Sequence, residues 1–443
     1  MTTLDISASE QLNKLIEFRQ IVYDEVLTTA RDGLFEAMDS LLLSDHPRSF
    51  AELSLSPVFR RQWPSLYDAL ERGRLNEGRL ERLLVAQVPS QTVQVFPLDT
   101  TMWSHPSART LSDLVYAPSP TRALPSRSVV QGHQYSLLSW TAQIGSSWSP
   151  VLMSQRVKAS DSAIDVGVAQ VKQLCRYRPG PGLTVIAADG AYGNHHFLGP
   201  LRAINCAKVC RLRRDRVLYS APDPYAGRGR PRTHGDRFAF KEPNTWGEPV
   251  EQIEFSHSHW GQVRLRRWNE LHAKQDGQTS FAVIRAEVHG ERKKPPAPLW
   301  LAYAPAPEQD RFPVQQVWDW FTRRWPIEPS IRFRKQHLLW TLPRLQSDEA
   351  CDRWTRLVDM AHGQLFLARQ LVQDQPLPWQ RTQTDLSPAR VQRGFGGLFG
   401  QIGTPAQPPK PRYNSPGWPT GRARRRPLRY KPVKRGQNRA PPV

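Results

Sequence analysis

One stretch decides how the centre of this chain folds, namely Leu183-Thr184-Val185-Ile186-Ala187-Ala188-Asp189-Gly190. It is a nearly continuous apolar run that ends in an acid. A run of this kind is typical of a strand that is buried on both faces of a sheet. Because ligands gather at the carboxyl ends of strands in open α/β sheets, its position alone makes Asp189 a candidate site residue.

The segments around this run predict further strands and helices in alternation. In chain order the pattern indicates strands at 92–98 and twice within 128–157, a helix at 161–176, the strand at 183–188, a short helix at 195–204 and a strand at 207–212. This succession predicts a mixed α/β sheet flanked by helices. The first of these strands leads directly into Asp99, which is therefore a second candidate acid.

The pattern places three regions in the rest of the chain after residue 90. We expect the α/β core to comprise 91–214 and 313–375, with a β-rich insertion at 215–312 between its two parts. Residues 400–443 are rich in Pro, Gly, Arg and Lys, and a composition of this kind predicts a disordered basic tail. Within it, 404–443 carries eleven basic side chains and no acidic one.

Residues 1–90 have apolar side chains at helical spacing and predict an N-terminal helical domain. Two positions resemble helix starts, namely Ser56-Pro57 and Asn76. The domain could bind DNA through four arginines, which are Arg60, Arg61, Arg72 and Arg74. The alternative is a helical cap that packs on the α/β core, and the sequence does not choose between the two.

The charge of the 443-residue chain narrows the possible partners. The formal net charge is +21 and the sequence pI is about 10.3. A balance this basic indicates a polyanionic partner, most often nucleic acid, although a generally basic composition is the plain alternative. No apolar run is long enough for a membrane span and no secretory signal is evident, so we expect a cytoplasmic protein, nucleoid-associated when bound to DNA. No phosphate-binding Gly-x4-Gly-Lys-Ser/Thr loop occurs, so ATP use is not indicated.

A third candidate acid, Glu328, lies in the predicted helical region that begins near Phe312. Carboxylates from three separate elements, Asp99, Asp189 and Glu328, can hold two Mg²⁺ ions, because Mg²⁺ prefers hard oxygen ligands. Two such ions stabilise both the attacking and the leaving oxygen when a phosphodiester is displaced. Each acid alone is weak evidence, since a strand-end aspartate is often only a turn former.

The sequence around these acids resembles the insertion-sequence DDE transposases that carry a β-rich insertion before the catalytic glutamate. The resemblance covers roughly residues 90–345. The first acid lies in Leu98-Asp99-Thr100-Thr101, and the second in Asp189-Gly190-Ala191-Tyr192-Gly193. The third lies in a pattern similar to the family's Tyr-x2-Arg-x3-Glu-x6-Lys signature, which here consists of Phe321, Arg324, Glu328 and Lys335.

This resemblance implies an RNase H-like catalytic core in which Asp99, Asp189 and Glu328 are the catalytic, metal-binding residues. It also implies Mg²⁺ or Mn²⁺ as cofactor, two ions in the site, and transposon-end and target double-stranded DNA bound by a homodimer. The implied reaction is metal-dependent strand cleavage followed by strand transfer. Three features depart from the family pattern: Phe321 replaces a tyrosine, Pro326 and Pro329 flank the glutamate, and the second motif has one additional residue.

The signature also has a physical interpretation. On one continuous helix, positions 321, 324, 328 and 335 fall within about 60° of one another, so an acid shares a face with two cations. Arg324 and Lys335 could then bind DNA phosphates on either side of the scissile bond. The plain alternative is a helical i, i+4 ion pair between Arg324 and Glu328. The prolines predict that the helix kinks or restarts near residue 326.

Further candidates for DNA contact are Phe321, Tyr192 and the Arg228-Gly229-Arg230-Pro231 segment. That segment resembles the core of a minor-groove arm, with a phosphate-contacting loop as the alternative. Among the four cysteines, a zinc site from Cys206 and Cys210 is conceivable, but ordinary buried thiols are the preferred interpretation.

Two other functions stay open on the sequence. One is an inactive or domesticated relative that acts only as a DNA-binding protein. The other is an RNase H-like nuclease that cuts DNA without joining it.

Overall fold

The computed structural model describes residues 7–118, 129–142, 145–178, 180, 182–225, 227, 230–289, 296–307, 309, 311–411, 417, 419–423 and 426–436. The N-terminal region is helical, as predicted. In chain order its elements are α1 (Ala8–Ile21), a π-helical turn (Val22–Val26), β1 (Leu27–Thr29), α2 (Arg31–Leu43), α3 (Phe50–Leu53), α4 (Pro64–Arg72), β2 (Arg74–Leu75) and α5 (Glu77–Ala86). Asn76 caps α5 as predicted, because its side chain accepts the backbone N–H of Arg79. The predicted start at Ser56-Pro57 is wrong, since α4 has Pro64 in its first turn instead.

The α/β core follows. Its elements are β3 (Val93–Ser104), β4 (Val115–Pro118), β5 (Val129–Ser139), β6 (Val151–Val157), α6 (Ala163–Tyr177), β7 (Leu183–Ala188), α7 (His195–Leu198), a 3-10 turn (Gly199–Leu201) and β8 (Ala207–Leu212). β3 pairs in parallel with β7, and β7 pairs in parallel with β8. On the other side, β3 is antiparallel to β5, and β5 is antiparallel to β6. This mixed sheet flanked by helices confirms the predicted fold class and has the strand arrangement of an RNase H-like core.

The central strand β7 is buried on both faces, as its sequence predicts. Val185 and Ala187 face one apolar core together with Trp318 and Trp320. Ile186 and Ala188 face the second core, which contains α6 and the N-terminal helices. The period-2 alternation of a strand divides adjacent side chains between the two layers, so residues 185–188 are apolar on both faces of the strand.

The insertion continues the core sheet. Its elements are β9 (Val217–Tyr219), β10 (Arg237–Ala239), a 3-10 turn (Pro243–Thr245), β11 (Glu251–His257), β12 (Gly261–Ala273), β13 (Asp276–His289) and β14 (Leu299–Ala304). β14 pairs antiparallel with β8 over Ala304↔Lys208 to Trp300↔Leu212, and β13 and β12 follow in order. The region 215–312 is therefore β-rich as predicted, but its strands extend one sheet and share its core.

The C-terminal helices are α8 (Val314–Thr322), α9 (Ile327–Gln336), α10 (Asp348–Ala368) and α11 (Pro388–Ile402). The helical part of the core therefore extends beyond the predicted boundary at 375. α10 is almost entirely buried and contacts α1, α2, α4 and β6. Among the described residues, no helix is both long and apolar enough to cross a membrane.

The N-terminal helices share one continuous hydrophobic core with α10 and α11, so the region behaves as a cap on the core. The buried side chain of Arg19 pairs with Asp39 at 2.8 Å and donates to Gln364 Oε1 at 2.6 Å. Arg60 and Arg61 both pair with the buried Glu36. This arrangement corresponds to the alternative of a helical cap, and it assigns the first two of the four arginines to internal ion pairs.

The described segments of the basic tail contact the rest of the protein. Residues 403–411 lie against the N-terminal helices, because Arg60 donates to Ala406 O and Arg61 donates to Gln407 O, each at 2.7 Å. Further on, Val433 forms a parallel β-bridge with Val115, the first residue of β4. Through their backbone groups these segments form hydrogen bonds with the body of the protein. The disorder of the basic tail stays a prediction.

Candidate active site

Asp99 and Asp189 are neighbours at the point where parallel pairing between two strands ends. The last registered pair of β3 and β7 is Leu98↔Ala188, and each acid is the next residue of its strand or turn. β3 does not end at Asp99 as predicted but continues to Ser104, antiparallel to β5. Register therefore places the two carboxylates side by side, although they are 90 residues apart in the chain.

The backbone after Asp189 folds into a tight turn. Tyr192 N–H donates to Asp189 O at 2.9 Å. A Cβ on Gly193 would lie 2.1 Å from the backbone oxygen of Arg211, so only glycine fits this close approach to β8. The guanidinium of Arg211 lies 3.9 Å from Asp189 Oδ1. The sequence analysis did not single out Arg211; its position near the end of the strand beside β7 was the available signal.

Glu328 enters from the first turn of α9. The signature is not one continuous helix, because α8 ends at Thr322 and α9 begins at Ile327. The predicted restart near Pro326 is therefore observed, and the angular argument based on a single helix does not apply. About half of the Glu328 side chain is exposed, at 52%.

Arg324 joins two of the three acids. Its Nη1 donates to Asp99 Oδ2 at 2.9 Å and its Nη2 donates to Glu328 Oε1 at 3.0 Å. The i, i+4 ion pair exists, but the same guanidinium also reaches across to the sheet. Arg324 therefore brings the C-terminal acid to the strand acid, which an ordinary surface ion pair on a helix does not do.

The three acids influence one another electrostatically. Burial is the largest cause that raises the pKa of Asp99, the guanidinium of Arg324 lowers it, and the carboxylates of Asp189 and Glu328 raise it. A partly buried carboxylate beside two others binds a proton or a metal cation more readily than an isolated one. Since all donors are hard oxygens, the set suits Mg²⁺ or Mn²⁺ better than a soft metal.

Lys335 contacts the same strand as Asp99. Its Nζ donates to Thr101 Oγ1 at 2.7 Å and to Met102 O at 2.9 Å. Burial, followed by the nearby Arg334, lowers the pKa of Lys335 to about 8. The ammonium of Lys335 is thus held by β3 at Thr101 and Met102, just beyond Asp99 on the same strand.

The other predicted DNA contacts differ in their surroundings. Tyr192 is only 1% exposed and its ring packs against Phe197, and its contact with DNA stays a prediction. Phe321 lies near the end of α8 and is half-buried against the core, with its ring centre 6.0 Å from the Arg324 guanidinium carbon. Arg230 is exposed, whereas Arg228 lies outside the described residues.

The sequence left two interpretations of Cys206 and Cys210, a zinc site or ordinary buried thiols. Cys206 directly precedes β8 and Cys210 lies on it, and both are buried free thiols. A different group of His and Cys residues does come together, and no spacing in the sequence revealed it.

Comparison with known families identifies the class of this protein. The family described as "DDE superfamily endonuclease" matches residues 22–273, which is more than half of the chain. The chain therefore belongs to the DDE superfamily endonuclease family, whose members act on DNA and use divalent metals. The match includes Asp99 and Asp189 and ends before Glu328.

Other comparisons add no argument on function. No curated protein matches the sequence. Among solved structures, the C-terminal lobe of an Argonaute from budding yeast is similar over 63% of this chain and 55% of its own, with 8% identity and a TM-score of 0.24. This chain thus spans little more than half the length of that structure.

Proposed function

We propose that this protein is a transposase that binds the ends of a mobile DNA element and catalyses metal-dependent strand cleavage and strand transfer. The observation that carries the proposal is the junction of three acids: Asp99 and Asp189 adjoin at the end of the β3–β7 pairing, and Arg324 links Asp99 to Glu328. Family membership supports the coarser part, namely an endonuclease that acts on DNA.

In this proposal Asp99, Asp189 and Glu328 would bind two divalent metal ions, either Mg²⁺ or Mn²⁺. The bound metal would activate the attacking water or 3′-hydroxyl and stabilise the charge on the leaving oxygen. The raised pKa of Asp99 supports the assignment, because a carboxylate crowded by two others is stabilised by a nearby cation.

Arg324 has two roles in this proposal. Without metal it neutralises Asp99 and Glu328, which reduces the repulsion between them. With metal and DNA present, its guanidinium is released from the carboxylates and pairs with a phosphate near the scissile bond, for which its planar fork is suited. The ammonium of Lys335 stays hydrogen-bonded to β3 and supplies positive charge near Asp99.

The wider DNA surface is proposed from charge and exposure. Arg72, Arg74 and Arg230 are exposed, whereas Arg60 and Arg61 are occupied by Glu36 and the tail. We assign non-specific phosphate contact to exposed cations of this kind, within a net charge of +21. Transposition joins two element ends, so a homodimer on DNA is part of the same proposal.

The experiment is a coupled cleavage and joining assay on the full-length protein. A labelled duplex containing the terminal sequence that flanks the gene is incubated with supercoiled plasmid, in Mg²⁺ and in chelator. We expect metal-dependent cleavage at the terminus and transfer of the labelled end into the plasmid.

The other outcomes identify the alternative functions. Cleavage without any joined product would replace the transposase with a nuclease that only cuts. Binding without cleavage in Mg²⁺ or Mn²⁺ would identify a DNA-binding relative that has lost its chemistry.

A further inference from the structure

A group of metal-binding side chains lies away from the three acids, between the end of β3, strand β5 and helix α10. It consists of His105, His133 and Cys351, and one ligand atom from each lies within 4.8 Å of the others. His105 directly follows β3, His133 lies on β5 and Cys351 lies in the first turns of α10. Because the three come from distant parts of the chain, only the tertiary fold assembles them.

All three side chains are buried. The exposed fraction is 6% for His105 and 0% for both His133 and Cys351. Nε2 of His105 and Nδ1 of His133 have no hydrogen-bond partner among the described residues. Buried polar atoms are nearly always hydrogen-bonded, so two unpartnered imidazole nitrogens in one buried group require an explanation.

The packing of the rings does not supply that explanation. His105 and His133 meet edge to face at 4.9 Å between centroids, and Trp103 covers His105 at 4.8 Å. Such contacts satisfy ring faces and edges, but they leave the nitrogen lone pairs without a partner.

Asp348 orients one of the rings. His133 Nε2 and Asp348 Oδ1 lie 3.0 Å apart, and Asp348 also accepts from the backbone N–H of Ser112 at 3.2 Å. When Nε2 carries the proton that is donated to Asp348, the lone pair of His133 is at Nδ1, the unpartnered atom. A carboxylate that holds the far nitrogen of a ligating histidine is the usual outer shell of a protein zinc site.

We propose that His105, His133 and Cys351 form a buried zinc site, with Asp348 as its outer-shell carboxylate. Two imidazole nitrogens and one thiolate suit Zn²⁺, whereas Mg²⁺ is poorly held by sulfur and nitrogen. Binding releases the thiol proton of Cys351 to solvent and leaves a net charge of +1, which Asp348 offsets. The three ligands leave one position of a tetrahedral ion for a non-protein ligand such as water.

The position of this group indicates a structural role. His105 lies six residues beyond Asp99, or roughly 20 Å along an extended strand, so the ion is separate from the three acids. A metal here would fasten the distal end of β3 to β5 and α10. The strand that carries Asp99 would thereby be fixed at the end opposite the one that pairs with β7.

The test measures metal content and coordination directly, with no dependence on DNA cleavage. Full-length protein, stripped with chelator, is titrated with Co²⁺ and then Zn²⁺, and bound metal is measured by mass spectrometry. We expect one tightly bound ion per chain, a thiolate-to-cobalt charge-transfer band with tetrahedral visible bands, and loss of these bands when Zn²⁺ displaces Co²⁺. The melting temperature should rise when zinc is added back.

Matched variants separate this group from other thiols and from the three acids. Cys351→Ser and His105→Gln should lose the tight ion and the sulfur-dependent band, whereas Cys210→Ser, a buried thiol outside the group, should keep both. Asp99→Asn should also retain the zinc, whatever its effect on cleavage. If Cys351→Ser fails to fold, His105→Gln and the wild-type titration still decide.

Two results would overturn the proposal. The first is a wild-type chain without the thiolate-to-cobalt band. The second is equal zinc affinity in wild type and His105→Gln.

Discussion

Two arginines ten residues apart, Arg324 and Arg334, each pair with aspartate, and the two surroundings differ. Arg334 and Asp359 have side-chain exposures of 0% and 2%, and Asp359 also accepts from Ser154 Oγ at 2.8 Å. Arg324 and Asp99 are 13% and 21% exposed. The buried pair is closed to metal and DNA, so it can only hold α9 to α10.

The partly exposed pair of Arg324 and Asp99 can exchange partners. Asp99 and Glu328 both contact solvent, so a metal cation can replace the guanidinium between them. Burial separates the two roles, since the ion pairs themselves are chemically alike. The experiments below test this distinction, in decreasing order of expected effect.

The largest effect is expected at the carboxylates. Asp99→Asn, Asp189→Asn or Glu328→Gln should each reduce single-turnover cleavage about a thousandfold or more, because several kcal/mol of charge stabilisation are lost. DNA affinity, which depends mainly on phosphate contacts, should change little. Asp68→Asn, an exposed acid on α4, serves as control. An acid whose replacement leaves the cleavage rate unchanged does not belong to the site.

Breaking the buried pair of Arg334 and Asp359 should lower the stability of the folded protein. Asp359→Ala removes the acceptor of both Arg334 and Ser154 and leaves a buried cation without its partner, which should lower the free energy of unfolding by about 3–5 kcal/mol. Urea unfolding of the metal-free wild type and variant measures this difference in the free energy of unfolding. A loss below about 1 kcal/mol would contradict the structural role assigned to this pair.

Replacing Arg324 should affect chemistry more than stability. Arg324→Gln should slow cleavage of pre-bound DNA by up to about a hundredfold, because misplacement of the reacting phosphate by about 1 Å is sufficient for a loss of this size. Its effect on the free energy of unfolding should stay within about 1 kcal/mol. Arg332→Gln removes an exposed charge from α9, the helix that carries Glu328, and is the matched control. Normal cleavage by Arg324→Gln would leave only the ion-pair role.

Lys335 should set the alkaline limit of the reaction. Its pKa of about 8 means that the ammonium is lost as the pH rises through this value, so cleavage should decline there by a few-fold. Lys335→Arg keeps its charge at higher pH and should move the decline upward. Rate profiles for both proteins, measured with DNA already bound, test this. Superimposable profiles would remove Lys335 from the pH dependence.

The smallest effect concerns stability at Asp99. The pKa of Asp99 is raised in the folded protein, so the folded state holds this proton more tightly than the unfolded chain does. The resulting contribution to the free energy of unfolding is present at low pH and is lost as the pH rises through the folded-state pKa, where the carboxylate ionises. Metal-free Asp99→Asn should therefore melt above wild type at neutral pH, and the difference should vanish below the usual pKa of aspartate. A lower melting temperature at neutral pH would show that Arg324 fully compensates the ionised acid.

The local sequence predicted the features that depend on neighbouring residues. The apolar run before Asp189 predicted a strand buried on both faces, Asn76 predicted a helix cap, and Pro326 predicted a restart in the signature. Each is a short-range effect, namely side-chain alternation, a capping hydrogen bond or a missing backbone N–H. The mixed α/β class followed from the order of such elements.

Tertiary pairing decided the rest. Composition could not show that the described tail segments dock through backbone hydrogen bonds, or that Arg60 and Arg61 bind Glu36 and the tail rather than facing solvent. Tyr192 looked like a contact residue in its motif, yet the turn after Asp189 directs its ring into the core. The group of His105, His133 and Cys351 joins residues up to 246 positions apart, since 351 − 105 = 246, so no local spacing signals it. Burial and long-range contacts exist only once strands and helices have packed, and they determine which of the chemically similar side chains remain accessible to metal and DNA.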